Sequence, residues 1–168
     1  IQMNIKGLMV DPITNMPIVV LREAEGQRVL PIWVGVFEAN AIALQVENVQ
    51  TPRPMTHDLL KAVIDQLGGR VERIVVCELR ENTFYARITI VQDGREVEID
   101  SRPSDAIALA VRCDAQIFAA DAASVVDGAT YEAVALQFGI SRTAVERRIK
   151  SIAVQLTQEV GVDGLKEE

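Results

Sequence analysis

An alternating strand runs straight into a proline-led, alanine-rich helix at DSRPSDAIALAVR, Asp100 to Arg112, and no other stretch restricts the fold so much. Pro103 suits a first helical position, where its missing N–H needs no partner. Ser101 or Ser104 is expected to cap the helix, and Asp105 faces the positive end of its dipole. Ala106, Ile107, Leu109, Ala110 and Val111 then give a small-residue helix suited to close packing. Asp100, Arg102, Ser104 and Asp105 are crowded at one strand-to-helix corner. Read alone, that corner is a capped helix start with one local ion pair.

The same plan is expected earlier in the chain. MNIKGLMV (residues 3 to 10) alternates as a first strand, and Ile18 to Arg22 with Arg28 to Val34 reads as a hairpin around Glu25 and Gly26. Pro31 demotes part of its second strand to an edge or a bulge. A helix from Phe37 to Asn48 follows, with Glu38 in its first turn. Thr56 is placed to cap a helix running to about Leu67, with Leu60, Val63, Ile64 and Leu67 as its core stripe and His57 at the stripe's edge. Arg73 to Leu79 suits a central strand, and Thr83 to Val91 with Glu96 to Asp100 makes a second hairpin around Asp93 and Gly94. Gln116 to Ala119 can close the sheet, with Asp121 to Val126 a short helix or turn. NAIAL (Asn40 to Leu44) and DAIAL (Asp105 to Leu109) each follow a hairpin, either as an internal β-β-α duplication or by coincidence. The fold class is therefore α+β: a compact mixed or antiparallel sheet with packed helices and a helical C-terminal tail, divided into a domain at 1–126 and an extension at 127–168.

That extension reads as helix-turn-helix-like, with Gly139 at the turn and Ser141 capping, or as a helical hairpin packed on the body or on another subunit. From 129 to 168 it holds five basic and six acidic residues, a poor balance for binding DNA. The whole chain carries a net charge of -7, which argues against a broad basic nucleic-acid face but not against nucleic acid as a substrate. No apolar run approaches a membrane span and no signal sequence opens the chain, so a cytoplasmic location and no membrane partner are expected. Cys77 and Cys113 lack metal spacing and read as two buried free thiols.

Four stretches in order, LPIWVGVFEANAIAL, PRPMTHDLL, TFYARI and IDSRPSDAIALAVR, resemble the bifunctional nuclease family of bacteria and plants, over roughly residues 3 to 126. The resemblance implies a compact α+β domain, homo-oligomeric association and cleavage of both DNA and RNA. Residues 130 to 168 depart from it.

Phosphodiester cleavage needs an activated water, charge stabilisation at the phosphoryl oxygens and help for the leaving oxygen. Glu38, Asp58, Asp100 and Asp105 are the candidate oxygen ligands for Mg²⁺ or Mn²⁺, with Asp100 and Asp105 also candidates for the catalytic step. His57 is the candidate general base or acid, since imidazole ordinarily titrates near neutrality. Arg53 and Arg102, with Ser104, are the candidate substrate-binding groups, because guanidinium forks match phosphate. Against this, Glu38, Asp58 and Asp105 all fall in first helical turns, where acids also serve stability alone. The alternative function is a non-catalytic oligomeric module whose tail captures a protein or DNA.

Overall fold

Two three-strand meanders, each running into a helix, make up most of the structure. It is a computed structural model that describes residues 1–11, 14–26, 28–80 and 83–120. The chain divides into two compact units, Ile1–Val125 and Val126–Glu168. The elements expected at Asp121 to Val126 and in the 127–168 tail lie outside the described residues.

The first meander is β1 (Gln2–Val10), β2 (Pro17–Glu23) and β3 (Val29–Trp33), followed by α1 (Val36–Val46) and α2 (Thr56–Gln66). The second is β4 (Gly69–Arg80), β5 (Thr83–Gln92) and β6 (Arg95–Ser101), followed by α3 (Pro103–Cys113) and β7 (Gln116–Ala119). Together they form a seven-stranded sheet in the order β3-β2-β1-β7-β4-β5-β6. β7 joins the halves, antiparallel to β1 and parallel to β4, which makes an otherwise antiparallel sheet mixed. The α+β class expected from the sequence is the one found. Pro31 lies in an edge strand, where a missing backbone donor is tolerated. The second hairpin turns on Asp93 (φ 49°) and Gly94 (φ 74°), the left-handed pair that a two-residue hairpin requires. NAIAL and DAIAL occupy α1 and α3, the helices that leave the two edge strands.

The core lies between the sheet and α3. Val19, Leu21, Leu30 and Ile32 come from one meander and Ile74, Val76, Ala86 and Ile88 from the other. Ala106 to Ala110 are all buried against them. Three alanines in those five positions let the α3 backbone approach both α1 and α2.

Three local expectations are corrected. Thr56 is the first helical residue of α2 and not its cap; the Met55 N–H is instead received by the Asp58 carboxylate at 2.8 Å. Neither Ser101 nor Ser104 caps α3, whose N-cap is Arg102. The α2 stripe is not core: Leu60, Val63 and Leu67 are 41%, 45% and 68% exposed, and only Ile64 packs against the core, near Ile90. Helical period fixes which residues share a face, but not whether a neighbour covers that face. Cys77 and Cys113 are free, as expected, but half-buried. No helix among the described residues is long and apolar enough to cross a membrane.

Candidate active site

Three helices begin close together, and their first turns bring a line of charged side chains into contact. Glu38 stands in the first turn of α1 behind Gly35, where an added Cβ would meet the Glu38 carboxylate. Arg102 opens α3 and Asp105 lies one turn on. Arg102 Nε donates to Asp105 Oδ2 at 2.7 Å, and its Nη2 lies 2.8 Å from Glu38 Oε1. The other Asp105 oxygen, Oδ1, is 3.1 Å from His57 Nε2 in the first turn of α2. Glu38, Arg102, Asp105 and His57 thus form one continuous chain across three helix starts. The imidazole is well shielded, with 12% of its side chain exposed, whereas Arg102 remains 66% exposed. Asp105, and after it Glu38, raise the Arg102 pKa further, so its charge is fixed at any working pH.

A second cluster adjoins the first. Arg112, from the last turn of α3, is only 4% exposed and donates through Nε to Asp58 Oδ1 at 2.5 Å. Its Nη1 donates to the Ala108 carbonyl at 2.8 Å and its Nη2 to the Ala41 carbonyl at 3.0 Å. One guanidinium therefore ties α1, α2 and α3 together. Because Asp58 also receives the Met55 N–H, Arg112 indirectly sets the first turn that carries His57. Sequence reasoning missed Arg112, although a signal was present. It lies three and four residues after Leu109 and Ala108, on the buried face of α3, where a charge demands a partner.

Burial pushes the Asp58 carboxyl up, but the Met55 N–H and then Arg112 outweigh it, so its pKa falls below the ordinary carboxylate range. The stabilisation linked to this shift is fully present above the unfolded value near ~3.9 and is lost as pH falls through the lower folded value. Between about pH 5 and pH 3 the urea midpoint of the wild type should therefore drop more steeply than that of Asp58→Asn. Parallel acid limbs would show that Asp58 makes no such contribution.

The remaining candidates fall elsewhere. Asp100 sits opposite Arg87 in the β5/β6 register, while its neighbour Ile99 sits opposite core residue Ile88. Strand alternation therefore puts Asp100 on the sheet face away from the helices, apart from the corner it was expected to share. Ser104 is buried at 7% exposure inside the first turn of α3. Arg53 is exposed in the α1 to α2 loop and lines a cleft together with Asp58 and Arg112.

Among the described residues no three His, Cys, Asp or Glu side chains are grouped as metal ligands. Glu38 and Asp105 both answer Arg102, and Asp58 answers Arg112. Arranged this way, the donor set fits guanidinium groups and does not fit a divalent cation.

A model of the bifunctional nuclease domain matches residues 19–134. An uncharacterised protein of Mycobacterium tuberculosis is 40% identical over 121 residues, 72% of each chain. Bifunctional nuclease 1 of Oryza sativa subsp. japonica is 28% identical over 110 residues, 64% of this chain and 33% of its own. Bifunctional nuclease 1 of Arabidopsis thaliana is 32% identical over 101 residues, 58% of this chain and 31% of its own. The chain thus spans about a third of the length of these plant relatives.

Proposed function

Because the chain belongs to the bifunctional nuclease domain family, we propose that it hydrolyses phosphodiester bonds of DNA and RNA where α1, α2 and α3 begin. The observation that carries this reading is the unbroken line of contacts from Glu38 through Arg102 and Asp105 to His57. With Nε2–H donated to Asp105, the imidazole keeps its lone pair on Nδ1, which takes a proton from the attacking water and later returns it to the leaving oxygen. Asp105 fixes the tautomer and steadies the charged ring. Arg102, with its Nη1 hydrogens uncommitted among the described residues, receives the phosphoryl oxygens as negative charge grows on them. Glu38 holds Arg102 in place.

A divalent cation would have to displace Arg102 from both carboxylates. The test is incubation of the purified chain with single-stranded DNA, duplex DNA and RNA, each with chelator and with Mg²⁺ or Mn²⁺. The same contacts would serve a non-catalytic module as a clasp between helices. The two readings part on turnover, which the clasp alone does not give.

The exposed apolar face of α2 supports a further part of the proposal, that the protein is a homo-oligomer. α2 has no buried residue, and Leu59, Leu60, Val63 and Leu67 all present large apolar side chains to solvent. A second copy of the chain would cover them face to face, as helix pairs in subunit interfaces do. Light scattering should then show an oligomer that Leu60→Glu with Leu67→Glu reduces to monomers. A monomeric wild type, or an oligomer unmoved by the pair, would remove this interface.

A further inference from the structure

Beside the corner lies a cleft of about 320 Å³, formed where the Val49 to Met55 segment crosses from the end of α1 to the start of α2. Leu44, Val49, Pro52 and Met55 give it apolar walls, and Gln45 and Gln50 are among its lining residues. Arg112 and Asp58 also line it. Nε and one hydrogen on each Nη of Arg112 are committed, which leaves one N–H on each Nη without a partner among the described residues. Since Asp58 answers the Arg112 charge, these lining groups are polar but together neutral. The net positive charge belongs to Arg53, which is exposed and has no ion pair among the described residues.

We propose that this cleft takes one unpaired nucleobase of a single-stranded nucleic acid, an inference that rests on the nuclease reading of the adjoining corner. A base is flat, apolar on its faces and edged with donors and acceptors. Leu44, Val49, Pro52 and Met55 suit the faces. The amides of Gln45 and Gln50 carry both a donor and an acceptor for the edge, and the spare Arg112 hydrogens suit a ring carbonyl. A neutral interior accepts the base and leaves the flanking phosphate to Arg53. Asp58 and His57 are neighbours in one helical turn, about 100° apart, so the cleft and the His57/Asp105 pair flank the same turn. A paired base in a duplex cannot enter without leaving its stack, so the cleft favours single strands.

The test separates binding from cutting. Fluorescence anisotropy would measure the full chain with a labelled ten-nucleotide single strand on a phosphorothioate backbone, and with the same backbone carrying abasic sites. The intact strand should bind roughly tenfold more tightly, the order expected from burying the faces of one base against aliphatic side chains. Gln45→Ala with Gln50→Ala should close most of that gap while leaving abasic binding unchanged. Val49→Asp, at a 48% exposed position, should do the same by placing a charge in the cleft. Equal binding of the two strands, or equal weakening of both by the variants, would overturn the inference. A chain that shows the gap but never cuts keeps the cleft and loses the nuclease reading; one that cuts without the gap loses only the cleft.

Discussion

Arg112→Met should lower unfolding free energy by about 3 kcal/mol, read as a shift of the urea midpoint at neutral pH. Methionine fills a similar volume but removes the partner of Asp58 and the donors to the Ala108 and Ala41 carbonyls. The Asp58 carboxylate is then left without its ion-pair partner beside a guanidinium site that was 4% exposed, and the two helix carbonyls keep only their intrahelical N–H bonds. Asp58 is 33% exposed, and the solvent that reaches it holds the loss to the lower end of what breaking a buried ion pair costs. Arg112→Lys should recover only part, since an ammonium does not span one carboxylate and two carbonyls in a planar fork. A double Arg112→Met, Asp58→Asn variant should lose less than the sum of the single losses, because the two residues share one interaction. Additive losses would show that they act independently.

His57→Ala should reduce cleavage by roughly 10² to 10⁴-fold while leaving the fold intact, the range expected when a general base is removed. Asp105→Asn should act in the same direction through two effects. The amide no longer enforces a single imidazole tautomer, and it gives up the charge that holds Arg102 at 2.7 Å. Glu38→Gln should have a milder effect, because Arg102 keeps its Asp105 contact. An ordering in which Glu38→Gln is the most damaging would shift the chemistry from His57 to the arginine end of the line.

The fold was largely legible because its signals are local. Asp93 with Gly94 specifies a tight hairpin, Pro103 a helix start, and alternation in β1 and β5 a half-buried sheet. The insertion of β7 between β1 and β4 was not legible, since four residues of QIFA carry no information about which strands they will join. Of the site, Glu38, His57, Arg102 and Asp105 could be chosen by residue type, but their convergence depends on how three helix starts pack, which periodicity does not encode. Asp100 shows the converse. Two residues from Arg102 in sequence, it faces the other side of the sheet because strand side chains alternate. A basic residue in a last turn, such as Arg112, already has a local explanation in the helix dipole. Only its place on the buried face distinguishes it.

The most direct measurement sets wild type and His57→Ala side by side, purified identically, on single-stranded DNA, duplex DNA and RNA, in chelator and in Mg²⁺ or Mn²⁺. The predicted result is cleavage by the wild type in at least one condition, and cleavage at least ~100-fold slower by His57→Ala in that same condition. Equal cleavage by the two proteins, or none by the wild type on any substrate, would contradict a nuclease built on the His57/Asp105 corner.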